Sequence, residues 1–388
     1  MSTSLGPPEQ PSASLYRFEV PDGLLLFDGS SKTLFAYNGV ARFIWELIEA
    51  GRTEPEIVAA VAAQWEISAA LAQDDVRAIV TLWRAQGLLA SDDEARARAS
   101  PVASVAASVV PSAPPSEWTC TIRGTTIAFT VAAELPTGIR ALFSHLETPS
   151  VVPQTRMAIA KTPSGEFAFA QDGVERLRTG DPALAAGAMS VAVLECIRPG
   201  SEWFALIHGA ALARRGQGLA LIGASGSGKS TLAAGLMRAG FDYLADDLVA
   251  LSAPDAAIVP WPLPLSLKPG SIGPLLSQYP DLAQAPRYPT KGVEARLLLP
   301  RADVWDADPV RLRTLIFPRF AEGAAPEAQR LSSFDALQRL LADRVWLGDP
   351  LTEERVRAFL AWLDKTQAYA ISFGTLADAV GLVEGIVP

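Results

Sequence analysis

The chain has 388 residues, 49% of them hydrophobic, with 33 basic against 42 acidic side chains and a net charge of −9. That length exceeds one ordinary core, so two or three domains are expected, and the acidic balance argues against a general nucleic-acid binder, which needs a basic excess to neutralise phosphates. Cys120 and Cys196 have no paired spacing and indicate neither a zinc site nor a disulfide framework, and with no long apolar run or secretory segment a cytoplasmic protein is expected, without membrane partners.

Residues 1–15 are rich in Pro and Ser and read as a disordered tail. YRFEV, LLLFD and TLFAY, with the turn GSSK, predict a small antiparallel sheet. Three helices are expected after it. The first, GVARFIWELIEAG, starts after Asn38 as N-cap, puts Phe43, Ile44, Leu47 and Ile48 on one face and stops at Gly51. The second opens on a capping box, Thr53 with Glu56, and tolerates Pro55 in its first turn. The third runs from about Ser68 to Gly87 with Val76, Ile79, Val80 and Trp83 at helical spacing. A short sheet plus three helices makes residues 16–90 a small α+β, winged-helix-like domain.

This stretch, YNGVARFIWELIEAGRTEPEIVAAVAAQWEISAALAQDDVRAIVTLWRAQGLL, resembles the PqqD-like peptide-recognition domains of pathways that modify ribosomally made peptides. The resemblance implies that a leader peptide adds as a strand beside KTLFAY, residues 32–37, and packs against the third helix, residues 74–86. Strand addition to an exposed edge draws affinity from backbone hydrogen bonds and selectivity from side-chain pockets. A winged helix can also bind DNA, but the acidic QDD entering the third helix opposes that.

Residues 91–117, mostly Ala, Ser, Pro, Val and charges without periodicity, read as a flexible linker. Residues 118–200 alternate strands (WTCTIRGTTIAFTV, GEFAFAQDGVERLRTG) with helical stretches such as DPALAAGAMSVAVLECIR and carry no motif. They are expected to form a scaffold for residues 201–388.

GASGSGKS, Gly223 to Ser230, fits the phosphate-loop pattern and lies between the apolar run GLALI and TLAAGLMRAG, the strand, loop and helix context that the motif requires. Gly223, Ser225, Gly226, Ser227, Gly228, Lys229, Ser230 and Thr231 are therefore the expected nucleotide contacts. Glycines let the backbone curl so that its N–H groups and the helix N-terminus face phosphates. Lys229 is expected to reach the terminal phosphates, and the Ser230 hydroxyl to hold Mg²⁺ beside ATP. Helix, turn at Gly240 and strand FDYLA return Asp246 and Asp247 to the loop, where one carboxylate can hold the metal and the other take a proton. His208 precedes a strand and hairpin that lead back to the loop.

His-Gly, then the loop, then AGFDYLADD resemble the HPr kinase/phosphorylase family and its kinase relatives over residues 205 to about 252. The resemblance implies an HPr kinase-like α/β P-loop core in which Lys229 binds phosphates, Ser230 and Asp247 serve Mg²⁺, Asp246 is the base toward a serine hydroxyl and His208 supports Asp246. Downstream the pattern departs from the family. The Glu-bearing signature has only an offset echo in VEARLL with Glu294, while Lys268 in LKPGS and Arg319 in LIFPRF are candidate charge partners without assigned roles. The combined expectation is a peptide Ser/Thr kinase guided by a leader peptide. An ATP-hydrolysing leader-binding chaperone, an HPr-type carrier-protein kinase/phosphorylase and a small-molecule kinase remain as alternatives, and a homo-oligomer is open.

Overall fold

The protein is described from a computed structural model that covers residues 11–89 except 13, 22 and 32, and residues 116–388 except 134, 136–138, 150, 291–292, 302–303, 305–306, 344 and 349–350. The tail and the linker expected over 1–15 and 91–117 lie largely outside the described residues. Where the expected tail is described, Pro11 bridges Leu89 and the Ser12 N–H donates to the Leu88 carbonyl at 3.0 Å. The chain divides into two units: Met1–Ala103 with Ser332–Ala342 and Leu347–Asp364, and Ser104–Leu331 with Asp343–Trp346 and Lys365–Pro388.

In the first unit, β1 (Leu15–Phe18), β2 (Gly23–Asp28) and β3 (Thr33–Asn38) pair antiparallel in chain order, which leaves β3 at an edge. Helix α1 (Gly39–Glu49) begins where the Asn38 side chain accepts the Ala41 N–H at 3.0 Å, satisfying one orphan donor of the first turn. The expected capping box opens α2 (Glu54–Trp65), and Ser68 caps α3 (Ala69–Ala85). Ile44, Ile48, Ile57, Val61, Val76, Val80 and Trp83 form the core with Leu24 and Leu26. The face of α1 differs from the expectation by about one position. Trp45 is buried while Phe43 and Leu47 are only partly so, because the Trp45 ring packs edge to face on Trp83 at 5.0 Å. Leu34, Phe35, Ala36, Tyr37 and Gln86, with Gln338, Leu341 and Ala342 of the helix Ser333–Ala342, line a groove of about 370 Å³. Successive strand residues point to opposite faces, so four consecutive lining residues mean that the groove follows the edge of β3.

The second unit opens with a five-stranded sheet: β4 (Ser116–Ile122), β5 (Thr125–Val131), β6 (Thr155–Lys161), β7 (Phe167–Gln171) and β8 (Val174–Thr179). Short α4 (Ile139–Phe143) lies between β5 and β6, and α5 (Pro182–Ile197) follows, capped by Asp181. The sequence reading contains no strand at β6, which pairs antiparallel with β7 across the short turn after Lys161 and parallel with β5 across a longer connection.

The remaining elements are β9 (Trp203–Ile207), β10 (Ala210–Arg214), β11 (Gln217–Leu221), α6 (Lys229–Arg238), β12 (Asp242–Ala245), β13 (Val249–Ser252) and β14 (Ala257–Val259). They continue with β15 (Leu265–Leu267), α7 (Pro269–Leu275), β16 (Arg287–Thr290), β17 (Val293–Leu298), β18 (Val310–Phe320), β19 (Glu327–Arg330) and α8 (Ser333–Ala342). The chain closes with β20 (Val345–Trp346), α9 (Glu353–Leu363), β21 (Gln367–Phe373) and α10 (Leu376–Ile386); α8 and α9 fall in the first unit. A large sheet has the order β12-β10-β11-β18-β14-β13-β9-β20, with β21 beside β18 and β19 beside β21; β15, β17 and β16 form a small one.

The fold is therefore mixed α/β with several sheets. In the large sheet β11, β18 and β21 run parallel, so their carboxyl ends share one side, where α/β proteins place ligands. Leu219, Leu221, Ile316 and Ile371 on these strands pack with Leu232, Ala233 and Leu236 of α6 and with Ala379 and Val383 of α10. Among the described residues no helix is long and apolar enough to cross a membrane.

Candidate active site

The site grows from the carboxyl end of β11. Positive φ at Gly223, Gly226 and Gly228 lets the chain curl from strand to helix, and α6 starts at Lys229. A glycine-rich loop that leads into a helix N-terminus is an arrangement suited to bind phosphate. His208 arrives from β9 and is followed by Gly209, where a Cβ would meet the Leu221 carbonyl oxygen at 2.5 Å. A glycine after the histidine is thus what allows the connection between β9 and β10 to pass so close to the end of the loop strand.

The cleft at this point has a volume of about 320 Å³. Its walls include His208, Ser225, Gly226, Gly228, Lys229, Ser230, Thr231 and Asp247. The sequence-expected residues therefore meet in one place, with three qualifications. Gly223, Ser227 and Asp246 are absent from the lining; among the described residues the buried Ser227 hydroxyl has no hydrogen-bond partner. The Thr231 hydroxyl is engaged by Ser271 at 2.6 Å. Lys229 is buried, and its Nζ folds back onto the carbonyls of Gly223 and Ala224. Burial lowers its pKa, against the carboxylates of Asp343, Asp246 and Asp247, which raise it.

The two aspartates occupy unlike environments. Asp246 is 3% exposed and accepts from the Ser230 hydroxyl at 3.3 Å and from the Ser266 N–H at 3.3 Å. Burial, then the charge of Asp247, pushes its carboxyl well above the ordinary carboxylate range. Asp247 takes a left-handed backbone, φ 65°, and holds its side chain 70% exposed with Oδ1 3.9 Å from His208 Nε2. Positive φ at a non-glycine is uncommon, although aspartate tolerates it better than most. Ser230 was expected beside Asp247 and His208 beside Asp246. The contacts run the other way, because the turn after β12 buries the first carboxylate against α6 and projects the second into the cleft.

A hydroxyl and a carboxylate offer only hard oxygen donors, which suit Mg²⁺, an ion bound by one or two carboxylates plus substrate phosphates. Among the described residues no group of three or more His, Cys, Asp or Glu is arranged to hold a metal unaided. A cation bound there would relieve the mutual repulsion of Asp246 and Asp247.

Lys268, the N-cap of α7, lines the cleft and touches the Ser225 hydroxyl. Glu294 lies outside the lining and pairs with Arg287 at 3.2 Å on the surface. Arg319 is exposed at the end of β18, outside the lining, while its neighbour Phe320 and Phe373 of β21 supply an aromatic wall. Sequence reasoning missed that wall and also missed Asp343, which accepts the Gly223 N–H at 2.8 Å. No local signal near residue 343 connects it with the loop.

Residues 23–89 match the family model of coenzyme PQQ synthesis protein D (PqqD). Among curated proteins none matches the chain. Two of the solved structures that are similar over parts of it bear on its domains. One, TbiB1 in complex with the TbiA(beta) leader peptide, is 25% identical, covers 21% of this chain and 93% of its own, and has a TM-score of 0.20. The other, the HPr(Ser) kinase/phosphatase from Coxiella burnetii, is 12% identical, covers 47% of this chain and 96% of its own, and has a TM-score of 0.22. The antiparallel sheet and three helices of residues 23–89 are a PqqD domain.

Proposed function

We propose that this protein is an ATP-dependent kinase that phosphorylates a serine or threonine hydroxyl of a ribosomally made precursor peptide held through its leader. In this reading an HPr kinase-like P-loop core, residues 201–388, follows a winged-helix-like recognition domain over 16–90, a linker over 91–117 and a scaffold over 118–200. The observation that carries it is the cleft lined by the phosphate loop, His208 and exposed Asp247, with Asp246 buried behind its Ser230 wall, on a chain that also has a PqqD domain.

The loop amides and Lys229 bind and orient the phosphates of ATP. Ser230 and Asp246 would hold Mg²⁺, which when bound neutralises charge developing on the phosphoryl oxygens. Asp247 takes the proton from the peptide hydroxyl as its oxygen bonds to the γ-phosphorus; the bond to the β,γ-bridging oxygen breaks and ADP leaves. The family resemblance implied the opposite division between the aspartates. Asp246 is favoured on the metal side because it already faces Ser230, and Asp247 as base because it is exposed in the cleft beside His208.

The leader would add to the edge of β3 over residues 32–37 and pack against residues 74–86, a reading supported by the groove that runs along that edge. The linker would then raise the concentration of the modifiable segment at the cleft.

Intact-mass spectrometry tests the reading. A precursor peptide encoded beside the gene for this chain is incubated with Mg·ATP and wild-type protein or Asp247→Asn. One added phosphate that depends on the leader and is lost in the variant is expected. Tight leader binding with ATP hydrolysis but no added mass would replace the kinase by an ATP-driven recognition module. Transfer indifferent to the leader would point to a carrier-protein or small-molecule substrate.

A further inference from the structure

Strand β20 pairs antiparallel with β9, Val345 opposite Ile207. Asp343 stands shortly before β20 in the chain, and His208 directly follows β9. Its side chain, 15% exposed, makes two contacts: Oδ2 accepts the Gly223 N–H at 2.8 Å, and Oδ1 lies 3.3 Å from His208 Nδ1. The other ring nitrogen of His208 faces Asp247 at 3.9 Å. One carboxylate thus grips the first residue of the phosphate loop and the histidine behind the proposed base.

We propose that Asp343 is a positioning residue of the phosphate site: it anchors the loop through Gly223 and orients His208 by accepting its Nδ1–H. Free imidazole prefers its proton on the other nitrogen, so an acceptor at Nδ1 is needed to hold the reverse tautomer. With Nδ1–H donated to Asp343, Nε2 presents a lone pair toward Asp247. The proton that Asp247 removes from the substrate hydroxyl then has a further acceptor in the imidazole that lies between Asp247 and Asp343. The loop contact is independent of this. A charged acceptor on the Gly223 N–H fixes the loop's first turn before phosphate arrives, so less ordering accompanies binding.

The inference rests on the phosphate-site reading above, but its test does not require peptide transfer. The full chain has two histidines, His145 and His208, so a His145→Gln variant identifies the His208 nitrogen signals. At about pH 8.5, where an ordinary imidazole is neutral, nitrogen-15 spectra of the wild type are expected to report the Nδ1–H tautomer. In Asp343→Ala the Nε2–H form should gain, and Mg·ADP binding by calorimetry should weaken about ten- to hundredfold. Asp343→Asn keeps the size of the side chain but offers one acceptor for two donors, so it should fall between the two and guards against loss of fold. An unchanged His208 tautomer together with unchanged Mg·ADP affinity in Asp343→Ala would overturn the proposal. Wild-type protein that binds Mg·ADP and shows the Nδ1–H tautomer but transfers nothing would sink the kinase reading while leaving Asp343 its role.

Discussion

The PqqD domain and the phosphate-loop region solve different problems with different chemistry. In the first, the proposed leader site is a strand edge, and the core behind it is mostly apolar: Trp45, Ile57, Val76 and Trp83 come from three consecutive helices. In the second, function requires charges to be buried, so Lys229 and Asp246 sit among elements drawn from distant parts of the chain. A recognition edge can be built from local patterns. A phosphate site needs groups that only a large sheet can bring together.

Substitutions can separate the two regions. The largest effect is expected at Lys229→Ala, which removes charge stabilisation at the terminal phosphates and should lower transfer about a thousandfold or more while leader affinity stays unchanged; paired rate and binding measurements check it. Trp83→Ala should do the reverse. It empties the core of the first unit at a cost of about 3–5 kcal/mol, so chemical denaturation should lose a transition, and leader binding should disappear while Mg·ADP binding persists.

Asp246→Asn sharpens the contrast, because a buried charge that serves function should harm stability. The raised pKa of Asp246 in the folded protein means that its contribution to stability is present below the unfolded value and is lost as pH rises through the folded value. Without metal, the variant should therefore melt a few degrees higher than the wild type near pH 8, with little difference near pH 4. With Mg·ATP the order should reverse, since binding stabilises only the protein that retains the ligand. Thermal melts at both pH values test this. The smallest effect is expected at Leu34→Ala, which trims the groove on β3 and should weaken a leader peptide about five- to tenfold without changing ATP turnover in its absence.

How much of this was legible in the sequence follows from the same contrast. The caps Asn38, Thr53 with Glu56, and Ser68 are local devices, and each marks a helix start as read. The phosphate loop is equally local: strand, three glycines with positive φ, and helix. The sequence reading lacks β6 although it forms a local hairpin with β7, and its second pairing, parallel to β5, is with a strand more than twenty residues earlier. Trp45 was misjudged because its ring is turned inward by Trp83, on another helix.

By itself the sequence determined the starts of the first three helices, the phosphate loop, the PqqD-like pattern and the presence of His208, Asp246 and Asp247 near that loop, since each depends on spacing along a short stretch of chain. Tertiary structure alone decided which aspartate faces Ser230, why glycine must follow His208, and that Asp343 meets both His208 and Gly223. Those facts depend on which side of a turn is buried and on the register between strands far apart in the chain, and hydrophobic periodicity carries information about neither.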